Sequence, residues 1–200
     1  MRFLSTLRLR SGQVWLIVLL NGCALLSPAH TPIARPAQSE TAPFAMNGRI
    51  SITHQDKRDS AGLRWTHQVQ TDEILLLAPL GQTAARVYSD TRSDARQATL
   101  DSDGKHYQAD DVESLMEQVM GWHLPLNGLH HWVLGMADPA RPAQTERGET
   151  GRLAVLHQDG WEVRYLDYAD DTTDALPKRM QLKHEDLQVT LLIDEWEWNP

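Results

Sequence analysis

One cysteine, Cys23, stands in the 200 residues. With no partner for it, a disulfide framework is excluded. Catalytic signatures are missing too. The chain carries no Gly-x-Ser-x-Gly elbow, no Gly-x-x-x-x-Gly-Lys phosphate loop, no Gly-x-Gly-x-x-Gly and no His-Glu-x-x-His. An esterase-like enzyme would therefore have to work without its nucleophile motif. Nine histidines are scattered along the chain. His130 and His131 are adjacent, which turns them to different sides of a helix, and no cysteine or spaced carboxylate completes a site with His123. Neither a metal nor a cofactor is implied. Basic residues are also in short supply, 19 Lys and Arg against 27 Asp and Glu. Nucleic acid is a poor match for such a chain. The apolar run Val14 to Leu20 falls far below the ~20 residues a membrane-spanning helix needs.

That short run has a different use. Arg2, Arg8 and Arg10 precede it and Asn21-Gly22-Cys23 follows, the pattern of an export signal. Leu20-Asn21-Gly22-Cys23 resembles the bacterial lipoprotein box, whose cysteine becomes the lipidated first residue. Residues 1–22 are thus expected to be a lipoprotein signal peptide and Cys23 the lipidation site. By the same resemblance, Ala24 after the cysteine permits sorting to the outer membrane. Removing 22 residues with three arginines and no acid leaves 16 cations against 27 anions, a net charge of −11. Residues 23–45 are rich in Pro, Ala, Ser and Thr and form the expected lipidated N-terminus and flexible tether. One folded domain over 46–200 remains.

Ten short strand patterns run through that domain, at 49–54, 63–66, 73–78, 84–88, 98–101, 105–108, 153–157, 161–165, 179–183 and 187–193. Asp103-Gly104 and Asp159-Gly160 are two-residue hairpin signals. Two helices interrupt the meander. Val112, Leu115, Met116, Val119 and Met120 make one helical stripe, with Asp110 and Glu113 as a capping box and Gly121 as C-cap. The second carries Leu129, Trp132 and Val133, with Asn127 as its cap and Gly135 at its end. Residues 137–150 read as a polar connection. The fold class is mainly β with helices: an antiparallel sheet curved into an open or incomplete barrel, its apolar concave face covered by the two helices. Whether the apolar side chains line a cavity or pack a solid core is left open by composition.

The turn Pro79-Leu80-Gly81 raises a separate question, because tight reversals are usually polar. Leu80 either folds back onto the sheet or projects from it. Asp110-Asp111, Asp170-Asp171 and Glu185-Asp186 read as solvated charge, and Trp65, Trp122, Trp132, Trp161, Trp196 and Trp198 as core anchors.

An ordered set of short motifs follows the lipoprotein box: Leu77-Ala78-Pro79-Leu80-Gly81, Tyr107-Gln108-Ala109-Asp110-Asp111, Leu124-Pro125-Leu126, Trp132-Val133-Leu134-Gly135 and Leu176-Pro177-Lys178-Arg179-Met180. Over roughly 48–196 the chain resembles the LolB family of outer-membrane lipoproteins. The resemblance implies an open half-barrel of about 11 strands lidded by helices. It implies a receptor, lipid-anchored in the outer membrane and facing the periplasm, that accepts lipoproteins from the soluble carrier LolA and releases them into the membrane. It also makes Leu80 a protruding leucine needed for release. Neither cofactor, metal nor covalent chemistry is involved, so the protein is not an enzyme. The implied partners are cargo-loaded LolA, the acyl chains of lipoproteins and outer-membrane lipid, with the protein acting as a monomer. Candidate acyl-chain contacts are Ile52, Trp65, Leu76, Val87, Leu115, Met116, Trp132, Val163 and Leu191. The expectation attached to them is a vacant apolar trough. The competing reading is a structural envelope lipoprotein with a filled core and no ligand.

Overall fold

The period-two patterns pair into one sheet. The computed structural model describes Arg35, residues 42–92 and residues 97–200. The expected signal peptide, Cys23 and, apart from Arg35, the tether up to residue 41 lie outside the described residues. In chain order the elements are β1 (Phe44–His54), β2 (Lys57–Gln68), β3 (Thr71–Leu77), β4 (Thr83–Asp90), β5 (Gln97–Ser102), β6 (Lys105–Ala109), α1 (Val112–Met120), α2 (Leu126–Trp132), β7 (Ala143–Arg147), β8 (Leu153–Gln158), β9 (Trp161–Tyr168), β10 (Pro177–His184) and β11 (Leu187–Trp198). The sheet order is β6-β5-β4-β3-β2-β1-β11-β10-β9-β8-β7, so the first and last strands meet in the middle and the outermost strands stay unpaired with each other. Every adjacent pair is antiparallel. The eleven strands form an open half-barrel. The chain passes from one edge to the other through the two helices, which pack on the apolar face.

Alternation decides which face that is. Ile50, Ile52, Leu63, Trp65, Ile74, Val87, Met180, Leu182, Val189 and Leu191 are buried on one side, while Arg49, Arg64, Arg86 and Arg179 between them point outward. A bulge near the end of β11 changes the phase. Asn47 faces Glu195, but Gly48 already faces Ile193, so Asp194 is the extra residue. The shift keeps Trp196 and Trp198 on the inner side, where their rings lie 5.4 and 6.5 Å from that of Phe44. Gly48 is required at this point: a Cβ there would sit 2.1 Å from the Leu192 carbonyl oxygen.

Four readings need correction. β1 begins at Phe44, two residues inside the segment assigned to the tether, and Phe44 is fully buried. β7 occupies part of what read as a polar connection. The cap of α1 is Asp111, and not Asp110: its Oδ1 accepts the Ser114 N–H at 2.7 Å. α2 follows Pro125 without a side-chain cap, and Asn127 lies within it. Gly121 closes α1 as expected, in the left-handed conformation at φ 75° with its N–H donating to Glu117 O.

Residues 32–200 form a compact unit of their own, and all eleven strands, both helices and the whole buried cluster fall within it. A unit with its own core is expected to fold by itself. Its weakest tolerance is at the bulge. Gly48→Ala must displace the β11 backbone, and we expect it to lower stability by about 1–3 kcal/mol, read as a lower urea midpoint with an unchanged m-value.

Candidate functional site

The concave face and its helical cover enclose the only wholly apolar cavity among the principal clefts of the described residues. From the sheet come Met46, Ile50, Leu63, Trp65, Ile74, Leu76, Val87 and Leu191. From the cover come Met116 and Met120 on α1, Trp122 and Leu124 in the linker and Leu129 on α2. Its volume is about 30 Å³. A void of that size holds one or two waters at most, and with no polar lining it stays dry. The expected vacant trough is therefore not open in this conformation. The cover's own methionine, leucine and tryptophan side chains occupy it.

Five of the candidate contacts, Trp65, Leu76, Val87, Met116 and Leu191, line this void. The other four, Ile52, Leu115, Trp132 and Val163, belong to the same buried cluster but stand away from it. The candidate contacts omit the other eight lining residues, Met46, Ile50, Leu63, Ile74, Met120, Trp122, Leu124 and Leu129. The helical stripe already carried Met120, one turn after Met116; Trp122 had no local signal.

Polar latches divide the interior in two. On the β8–β9 side Gln158, 3 % exposed, joins the cover to the sheet. Its Oε1 accepts from Trp132 Nε1 at 2.8 Å and from the Asp138 N–H at 2.9 Å. Its Nε2 donates to the Asp138 and Arg141 carbonyls. Tyr165 adds an O–H donated to Trp132 O at 3.0 Å, and Trp161 packs 6.3 Å from the Trp132 ring. On the β2–β3 side Trp65 Nε1 donates to Asp72 Oδ1 at 2.8 Å, and His67 Nδ1 lies 2.8 Å from the same oxygen. His130 of α2 then stacks on His67, centroids 4.9 Å apart and planes 8° from parallel. The void lies over β1–β4 and β11, with Trp65 itself in its lining. Among the described residues no side-chain hydrogen bond ties α1 to the sheet beneath it.

The Pro79-Leu80-Gly81 turn sits at the end of the β3–β4 hairpin. The Gly81 N–H donates to Ala78 O at 2.8 Å and the Ala78 N–H to Gln82 O at 2.9 Å. Gly81 takes φ 83°, which a side chain would resist. Leu80 does not fold back: it is 85 % exposed, the most exposed of the large apolar side chains described. No group of His, Cys, Asp and Glu among the described residues could hold a metal ion. Two of the histidines, His67 and His131, are buried.

An open antiparallel half-barrel with a helical cover, an apolar interior and a projecting leucine defines the class: a sheet that keeps apolar surface under a separate helical cover. The comparisons narrow the class. The family described as outer membrane lipoprotein LolB matches residues 42–196. An outer-membrane lipoprotein LolB from Chromobacterium violaceum is 37% identical, over 91% of this chain and 95% of that protein. One from Nitrosomonas europaea is 33% identical over 94% and 92%, and one from Azoarcus sp. 35% over 98% and 96%. Among solved structures, a LolA superfamily protein from Nitrosomonas europaea aligns at TM-score 0.45 and 9% identity, over 80% of this chain and 87% of that one. The chain belongs to the LolB family.

The lid carries a pH dependence. Burial, with His130 and His67 adding to it, pushes the His131 imidazole down to about 4, and burial also lowers His130; Asp138 opposes the shift at His131. His131 Nδ1 is buried without a hydrogen-bond partner among the described residues. Lowered imidazoles mean the unfolded chain takes up protons first, so stability is present above the ordinary histidine range and is lost as pH falls toward 4. We expect the urea midpoint of residues 32–200 to drop between pH 7 and pH 5, and His131→Phe to flatten that drop.

Proposed function

We propose that this protein is the outer-membrane receptor that takes lipoproteins from the periplasmic carrier LolA by their acyl chains and inserts them into the outer membrane. The observation that carries the reading is the wholly apolar void beneath a lid with few polar ties, in a chain of the LolB family. The physical need is plain. An acyl chain of about fifteen methylenes costs roughly 12 kcal/mol to hydrate. Cargo is best moved by keeping the chain buried throughout, from one apolar interior to the next.

Uptake requires the lid to move, since the resting void is far below the ~300 Å³ at which ordinary ligand pockets begin. Met46, Met116 and Met120 suit that task, because unbranched thioethers repack at little cost. The arriving chain replaces the side chains of the lid, so apolar surface stays covered on both sides of the exchange. Direction then needs only a modest difference in affinity; ~1.4 kcal/mol is tenfold.

The remaining assignments complete the reading. Residues 1–22 direct export, Cys23 carries the lipid anchor, and the tether runs from there to the start of β1 at Phe44. The protein works as a monomer. Leu80 touches the membrane when cargo is discharged. Its exposure and its rigid turn support that role.

The test is transfer. Residues 32–200, mixed with cargo-loaded LolA, should take the cargo, and the same protein should compete for an environment-sensitive apolar dye. Failure of both would remove the carrier reading. Leu80→Glu should fold and accept cargo normally but deliver it to vesicles at least tenfold more slowly. Equal loss of acceptance and delivery would count against a membrane role for Leu80.

A further inference from the structure

Beside the Leu80 turn, on the outer face of the sheet, lies an open cleft of about 540 Å³. Register places its parts in one row across four ladders. Leu77 of β3 faces Gly62 of β2, Gly62 faces Arg49 of β1, Arg49 faces Leu192 of β11, and Leu192 faces Arg179 of β10. Gly62 makes the dip: a Cβ there would come 3.2 Å from Leu77 Cβ. Pro79 extends the apolar wall toward Leu80, and Arg58 reaches in from one side, its Nε donating to Ser51 Oγ at 3.1 Å.

The chain as a whole has net charge −8, yet no acidic side chain is among the residues lining this cleft, and three arginines are. Arg49 is engaged by Asp194, its Nη2 3.1 Å and its Nε 3.3 Å from the carboxylate oxygens. Arg58 commits only its Nε, and Arg179 has no hydrogen bond or ion pair with a described residue. Two guanidiniums thus keep free donors, whose planar forks match phosphate oxygens.

We propose that this cleft seats the phosphodiester head groups of anionic phospholipids while Leu80 enters the acyl boundary. The proposal takes its orientation from the reading of Leu80 as membrane-facing. The geometry favours a lipid surface over a free anion. The cleft is open and its arginines exposed, so nothing encloses a small ion. What it offers is a band of guanidiniums above an apolar wall that ends in a projecting leucine, the layering of a bilayer interface. An acidic protein is repelled by an anionic membrane at long range. A basic cleft at one place on its surface turns the molecule so that Leu80 leads.

The test is partitioning of residues 32–200 onto vesicles of phosphatidylcholine with and without phosphatidylglycerol, comparing wild type, Arg58→Gln/Arg179→Gln and Leu80→Glu, each checked for an unchanged Tm. Wild type should prefer the anionic vesicles, and the preference should fall as salt rises. Each arginine removed should cost about fivefold on anionic vesicles, the ratio for about 1 kcal/mol per cation near such a surface, and nothing on neutral ones. Leu80→Glu should lose binding to both. A double variant that binds anionic vesicles like wild type while Leu80→Glu does not overturns the cleft and leaves the leucine reading intact. Loss in the double variant with no effect of Leu80→Glu overturns the leucine reading and keeps the cleft. Displacement of wild type by inorganic phosphate, at an ionic strength where chloride does not displace it, overturns the lipid assignment in favour of a free-anion site.

Discussion

The concave face of this sheet can never be left wet, and everything else in the molecule answers to that. A closed barrel would hide its interior by pairing its edges, but β6 and β7 do not meet, so the face is covered only by what lies on it. Two short helices and their linker do this by filling the space with their own side chains. Met116, Met120, Trp122, Leu124 and Leu129 fill the space over the concave face. Each such side chain gains about 1.5–3 kcal/mol by burial. A handful of them amount to about as much as hydrating one acyl chain costs. On the reading proposed above, lid and cargo compete for one surface on nearly equal terms.

The distribution of polar contacts bears on how such a lid opens in the proposed exchange. Gln158 and Tyr165 hold Trp132 in place, so the end of α2 is the fixed side. The stacked His67–His130 pair is a second tie, made through two imidazoles whose surroundings disfavour charge on the helix partner. Among the described residues, α1 and residues 121–125 make no side-chain hydrogen bond to the sheet and rest on it by apolar contact. Such contacts are non-directional and exchange readily with other apolar atoms, whereas a broken buried hydrogen bond leaves groups unpaired. In the proposed exchange, movement belongs to the α1 side, which lines the void through Met116 and Met120. α2, with only seven residues and no side-chain cap, has little stability by itself and keeps its form through packing.

Much of this was legible in the sequence, and the gaps have physical causes. Strands with one wet and one dry face announce themselves by alternation, and hairpin signals and one continuous apolar run supply the rest of the ten that the sequence shows. β7 could not be, because as an edge strand exposed on both faces its sequence AQTER has no apolar phase to detect. The turn at Gln55-Asp56 lacks glycine, yet both residues take positive φ. Asp110 and Asp111 are equally good caps by type; only the entry angle of the chain selects the second. The bulge at Asp194 is set by the pairing of the first and last strands, contacts some 145 residues apart, and no local pattern carries it. Gln158 is one polar residue at the end of a strand, and its four hydrogen bonds exist only once the cover has closed. Lining and filling use the same residue types, so composition could not choose between an empty and an occupied trough.

In the role proposed for it, a single leucine is a slight instrument for contact with a membrane, and the energetics fit a brief contact. Burial of Leu80 gains about 1.5–3 kcal/mol, too little to hold a protein on a bilayer and suited to a contact that must end. What makes so small a gain usable is the low cost of offering it. Pro79 restricts the backbone before Leu80, Gly81 closes the turn after it, and two backbone hydrogen bonds hold the loop in shape. Little conformational freedom is lost when the side chain enters lipid. The same rigidity keeps the leucine from folding onto the sheet in water. A flexible loop would bury it there and forfeit the difference between the two environments on which a brief, directional contact depends.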